Sequence, residues 1–119
     1  MQWIGGLAIA LAPALAFAGE ADVLKATARQ SSDGAWTVSA TVRHDDTGWD
    51  HYADAFQVLT PEGRELGIRV LLHPHETEQP FTRSLSGIAI PKDVDEIVVR
   101  ARDKVHGYGG KEARVKLPR

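Results

Sequence analysis

Trp36-Thr37-Val38-Ser39-Ala40-Thr41-Val42-Arg43 alternates an apolar with a polar residue from end to end. A period of two defines a β-strand with one face in a core and one in water. Here Trp36, Val38, Ala40 and Val42 turn inward. Working outward from this strand, which begins near Ala35, Ser31-Ser32-Asp33-Gly34 is a turn, and Asp22 to Arg29 supplies the strand before it.

Downstream, the same period places strands near Asp54 to Thr60, Glu65 to Leu72, Thr82 to Ile90, Glu96 to Asp103 and Glu112 to Leu117. Ile97, Val99 and Ala101 are in phase in the sixth strand, and Ala113, Val115 and Leu117 in the last. Pro61-Glu62-Gly63 and Pro91-Lys92-Asp93 are compact turns, with proline preset for the second turn position and Gly63 free to take positive φ. Seven short strands in about 100 residues predict an all-β, seven-stranded sandwich of the immunoglobulin/fibronectin III-like type, with Trp36 as a core anchor. The chain has no cysteine, so the disulfide of antibody domains is absent and the fibronectin-like variants are favoured. A small Greek-key β-barrel is the competing architecture.

The N-terminus reads as an address. Trp3 to Leu15 is an apolar run too short for the roughly 20 residues that cross a bilayer, and Ala16-Phe17-Ala18 offers small residues at the −3 and −1 positions for signal peptidase. The expected division is a signal peptide at residues 1–18 and a single immunoglobulin-like domain at 19–119, located in the periplasm or secreted. No second apolar run follows, so no membrane span is expected after cleavage. No cysteine stands at the cleavage site to carry a lipid.

Composition removes several function classes. Fourteen Lys and Arg stand against 16 Asp and Glu, and no basic stripe interleaves with aromatics, so nucleic acid is not expected as a partner. Zero cysteines exclude thiolate metal sites, cysteine nucleophiles and redox dithiols, and the single methionine is Met1. Any metal must be held by imidazole, carboxylate, backbone or water.

All five histidines lie in three inter-strand loops. In a sandwich of consecutive antiparallel strands, alternate connections share an end. The histidine-free turns at Ser31, Pro61 and Pro91 then fall at one end, and the loops 44–53, 73–81 and 104–111 at the other. Loops held at both ends by strands are where binding residues concentrate.

The candidate metal ligands are His44, His51, His73, His75 and His106. His73-Pro74-His75 places two imidazoles on one side of an extended segment, about 6 to 7 Å apart at Cα, with Pro74 limiting the entropy lost on binding. His44 continues the phase of Trp36 to Val42 and should point inward at the mouth of the sandwich; a histidine capping the core would look the same. Asp45, Asp46, Asp50 and Glu76 can add ligands or orient a ring N–H, or can be solvated loop charges. Imidazole with carboxylate suits Cu or Zn rather than Ca or Mg. Asp45-Asp46-Thr47-Gly48 lacks the spacing and terminal Glu of an EF-hand.

Gly48-Trp49-Asp50-His51-Tyr52-Ala53-Asp54 and Leu71-Leu72-His73-Pro74-His75-Glu76, continuing through Glu78-Gln79-Pro80-Phe81-Thr82-Arg83-Ser84-Leu85, resemble stretches of small exported proteobacterial proteins of unknown function with an immunoglobulin/fibronectin III-like domain. The resemblance implies a periplasmic or secreted single domain and brings no catalytic residues.

A catalytic set is not legible. Ser84 and Ser86 follow the His73 loop, but there is no strand-turn-helix elbow and no Gly-x-Ser-x-Gly. Asp50 and Glu76 as a carboxylate pair would need a cleft that a sandwich of this size has little room for. The expectation is binding rather than catalysis: a divalent transition metal held as carrier, buffer or metal-dependent adaptor. The alternative is a periplasmic protein- or peptide-recognition module in which Trp49, Tyr52, Tyr108 and Arg83 make the contacts, since aromatic residues and arginine dominate interfaces.

Overall fold

The computed structural model describes residues 19–119, and the expected signal peptide lies outside them. The described residues form eight strands in chain order: β1 Asp22–Gln30, β2 Trp36–Arg43, β3 Ala53–Leu59, β4 Glu65–Val70, β5 Phe81–Ile88, β6 Glu96–Asp103, β7 Gly107–Tyr108 and β8 Ala113–Lys116. Seven are the strands expected from the alternation. The eighth, β7, is a two-residue ladder inside the last loop, too short to leave a period in the sequence.

They form two antiparallel sheets, one of order β1-β2-β5, the other of order β4-β3-β6-β7 with β8 also paired to β6. β7 pairs with Arg102 and Asp103 of β6, and β8 pairs with Glu96 to Val99 of the same strand. The result is an immunoglobulin-like sandwich of two separate sheets rather than a closed barrel. No helix among the described residues is long and apolar enough to cross a membrane.

The inward residues of β2 (Trp36, Val38, Ala40, Val42) meet those of β3 and β6 (Phe56, Val58, Ile97, Val99) in one core. Trp36 is fully buried, as expected of an anchor. The outer face of the β2–β5 pair is held by hydroxyl pairs, Thr37 with Ser86, Ser39 with Ser84 and Thr41 with Thr82. Gly63 takes φ of 95°, the left-handed conformation that the Pro61-Glu62-Gly63 turn requires.

Two irregularities position the site end. In β1 the register slips between Val23 and Lys25, leaving Leu24 unpaired and 40% exposed while Ala21 and Val23 stay inside. In β3 it slips between Ala53 and Ala55 opposite Asp103 and Arg102, so the strand bends as it leaves the histidine loop. The bulged residue, Asp54, accepts a hydrogen bond from Arg102 Nε at 3.0 Å.

Candidate metal centre

The inward stripe of β2 does not stop where the strand does. His44 and Asp46 are both buried, with Asp45 between them exposed, so the alternation that begins at Trp36 runs two steps into the loop. On the opposite sheet, Asp103 follows Ile97, Val99 and Ala101 in phase and is 1% exposed. Each sheet thus ends its apolar stripe in buried polar groups at the same mouth.

Those groups meet. His44 Nδ1 lies 2.6 Å from Asp46 Oδ1, which also accepts from Ala53 N at 3.0 Å, while Asp46 Oδ2 accepts from His75 N at 2.6 Å. A carboxylate only accepts, so this contact fixes the proton of His44 on Nδ1 and turns a lone pair at Nε2 inward. His44 Nε2 then faces Gly19 O at 3.0 Å, His51 Nε2 at 3.3 Å and Asp103 Oδ2 at 3.6 Å. His51 Nε2 lies 2.7 Å from Asp103 Oδ2 and 3.2 Å from Gly19 O.

Proton counting shows what this arrangement needs. Gly19 O and the Asp103 carboxylate only accept, and the Nε2 of a neutral His44 accepts as well. The single proton available at His51 Nε2 is best used in the 2.7 Å bond to Asp103. His44 Nε2 and Gly19 O are then two lone pairs at hydrogen-bond distance, and they repel unless a second proton or a cation lies between them. A metal ion satisfies all four atoms at once. Two atoms each about 2.1 Å from a tetrahedral ion stand about 3.4 Å apart, close to the separation of the two Nε2 atoms. One ligand atom from each of His44, His51 and Asp103 fits within 4.8 Å of the others, so this group can hold a metal.

Asp103 is anchored from its own loop. Burial alone would raise its pKa, but hydrogen bonds from the His106 ring and from the amides of His106 and Val105 outweigh it and hold the carboxyl below the usual range. His106 Nδ1 sits 2.9 Å from Asp103 Oδ2, and that bond raises the imidazole above its ordinary value. His106 is exposed and stands beside the His51 ring, with centroids 5.2 Å apart.

The other two histidines form a separate pair. His73 and His75 rings are 4.7 Å apart. His73 is exposed, and its Nδ1 is 3.1 Å from Pro74 O. His75 is 6% exposed, stacks on Phe81 with centroids 4.0 Å apart, and has no hydrogen-bond partner among the described residues at either ring nitrogen. Burial, then the nearby charges of Arg83 and His73, lower its pKa and favour the neutral ring. Asp46 links pair and cluster, 3.9 Å from His75 Nδ1, and Gln79 ties the loops by accepting from His44 N and donating to His75 O.

The remaining candidates lie around this end without entering the cluster. Asp45, Asp50 and Glu76 are exposed, and Trp49 is 63% exposed with its ring edge toward the buried Tyr52. Tyr108 lies under the guanidinium of Arg100, and Arg83 pairs with Glu78 and stands over Phe81. The buried carboxylates are therefore Asp46 and Asp103 rather than Asp45 and Asp50. Asp103 and Gly19 were not read from the sequence as site residues. The signal for Asp103 was its phase with Ile97, Val99 and Ala101; Gly19 carries no signal beyond its place after Ala18.

No family model matches the chain, and no solved structure matches it. One similar protein, named "Putative lipoprotein", comes from the halophilic archaeon Halomicrobium mukohataei and is 47% identical over 91 residues. The match takes in 76% of this chain and 44% of that protein, so the chain spans less than half of its relative. The relative is archaeal, not proteobacterial as the sequence resemblance had implied, and its name states no activity.

Proposed function

We infer that this chain is an exported domain that binds a divalent transition metal, Cu²⁺ or Zn²⁺, through His44, His51 and Asp103, as a carrier, buffer or metal-dependent adaptor. The observation that carries the reading is the convergence of His44 Nε2, His51 Nε2, Asp103 Oδ2 and Gly19 O on one point. Two imidazoles with one carboxylate suit Cu²⁺ and Zn²⁺, and Cu²⁺ generally binds such a set more tightly. Asp46 holds His44 in the tautomer a metal requires, and His106 steadies Asp103. His73 and His75 stand outside this ligand set.

Export is supported by the apolar run and Ala16-Phe17-Ala18 of the sequence, and the relative's name, that of a lipoprotein, is in keeping with it. The leader at residues 1–18 and the domain at 19–119 belong to the same proposal.

The test is elemental analysis of the mature, untagged protein purified without chelator, followed by competitive Cu²⁺ and Zn²⁺ titration. Near-stoichiometric metal, or sub-micromolar affinity abolished in His51→Ala, is the expected result. Metal-free protein with weak binding that survives His51→Ala would overturn it. A second proton on His44 Nε2 would then take the place of the ion, and the cluster would be a buried ion pair.

One observation favours a second reading. Trp49, Leu72 and Val105, one from each loop at this end, are 63%, 75% and 60% exposed. Large apolar side chains in that number on recognition loops fit a protein-contact face. Under it, Trp49→Ala weakens partner binding and leaves metal affinity unchanged.

A further inference from the structure

We propose that Gly19 becomes a metal ligand when the leader is removed, its new α-amino nitrogen and its carbonyl oxygen closing a five-membered chelate on the ion held by His44 and His51. The inference rests on the metal reading above and adds to it the origin of a further nitrogen ligand and the moment at which the site becomes complete.

Three observations meet at this residue. First, the Gly19 carbonyl oxygen already stands 3.0 Å from His44 Nε2 and 3.2 Å from His51 Nε2. Nothing about an ordinary chain end requires its carbonyl to sit between two buried imidazoles. Second, a Cβ at this position would run into the His106 ring, so glycine lets the backbone come this close without displacing that ring. The backbone itself is what approaches the cluster.

Third, the segment behind Gly19 is clamped two residues away. Ala21 is fully buried with its carbonyl against Gly110, Asp22 Oδ1 accepts from Lys111 N at 2.7 Å, and Val23 N donates to Lys111 O at 2.8 Å. These contacts limit how far Gly19 can move when the residues before it are removed. The sequence independently puts signal-peptidase cleavage between Ala18 and Gly19, so the residue at the cluster is the one expected to become the N-terminus.

The chemistry changes with that cut. Hydrolysis of the Ala18–Gly19 bond consumes one water and leaves a carboxylate on Ala18 and an amine on Gly19. Before it, the nitrogen is an amide whose lone pair is delocalised into the carbonyl, which makes it a much poorer donor than an amine. Afterwards it is an α-amine with a pKa of about 7.7–8.0, from which a divalent ion displaces the proton. Nitrogen and oxygen of one glycine, joined through Cα and C, bind a single ion as a chelate. The precursor then has a weaker site than the processed protein, and full affinity arises after export.

The experiment compares the exported protein with a variant carrying one alanine inserted between Ala18 and Gly19. The insertion keeps the cleavage signal, leaves every residue of the domain in place and moves the amine one residue from the cluster. Intact mass gives the N-terminus of each, Cu²⁺ competition the affinity, and electron paramagnetic resonance the number of coordinated nitrogens. The expected result is a native start at Gly19, one nitrogen fewer in the variant, and an affinity loss of at least the ~10–100-fold that losing an outer-shell partner costs. Equal affinity and equal nitrogen count in both proteins overturn the role of Gly19 while leaving the metal site standing. A native start elsewhere than Gly19 also overturns it. If neither protein binds Cu²⁺ or Zn²⁺, the metal reading fails and takes this inference with it.

Discussion

The His44 cluster and the His73–His75 pair use the same side chain in opposite ways. Around His44 each polar atom has partners drawn from different parts of the chain: Asp46 from its own loop, His51 seven residues on, Asp103 from the other sheet and Gly19 from the start of the domain. His75 is nearly as buried, yet its ring lies flat on Phe81 with both nitrogens unpartnered. Burial and proximity of imidazoles do not by themselves make a metal site. What distinguishes the two is whether nitrogen atoms or ring faces converge.

The sharpest way to break the comparison is at the residue the two groups share. Asp46 accepts from His44 Nδ1, Ala53 N and His75 N, and both its side chain and that of His44 are shut away from water. Asp46→Ala leaves the His44 Nδ1–H and two backbone amides, all buried, without their acceptor, and at roughly 1–3 kcal/mol for each orphaned donor it should cost at least about 3 kcal/mol. A lower urea midpoint at unchanged m-value measures it. Removing exposed His73 is expected to stay within about 0.5 kcal/mol, and equal losses at the two positions would mean that Asp46 organises nothing.

The next effect is on affinity. His44→Ala deletes a proposed ligand and should weaken Cu²⁺ or Zn²⁺ binding by at least about 100-fold, beyond what loss of an orienting partner causes. His73→Ala should leave it unchanged. The reverse pattern in competitive titration moves the metal to the His-x-His pair. Reading both variants against urea unfolding separates a lost ligand from a lost fold.

How much of this was legible follows from where the information sits. The strand alternation is local, so the seven long strands, the sandwich and the buried Trp36 could be read from single stretches. Loop parity then brought the three histidine loops to one end, and the phase of β2 pointed His44 inward. That same phase favours Asp46 over Asp45, and the phase of β6 favours Asp103, but Asp46 stands among four loop acids that read alike and Asp103 reads as an ordinary charge just beyond an apolar stripe. Whether a carboxylate is buried depends on a donor far along the chain: His51 lies 52 residues from Asp103. The face of His75 depends likewise on Phe81, which alternation alone does not place against a ring. The Gly19 contact is the least legible, because it is made by a backbone oxygen, an atom every residue has.

The smallest predicted effect makes the cleanest contrast. A buried imidazole with two unpartnered nitrogens gives up hydrogen bonds to water that the fold does not replace, whereas its packing against Phe81 is apolar. His75→Phe keeps a planar ring in the stack and removes the unsatisfied atoms, while the His75 backbone amide that Asp46 binds is present in either residue. The variant should be as stable as the native protein or more stable by about 1 kcal/mol. Its metal affinity should be unchanged, because His75 lies outside the proposed ligand set. A loss of stability would show that the ring nitrogens find partners in solution, and a loss of metal would show that the ring turns, from 3.9 Å away, toward the carboxylate that holds His44. Either result would join the two groups into one site, and their present separation would then mark only one of its states.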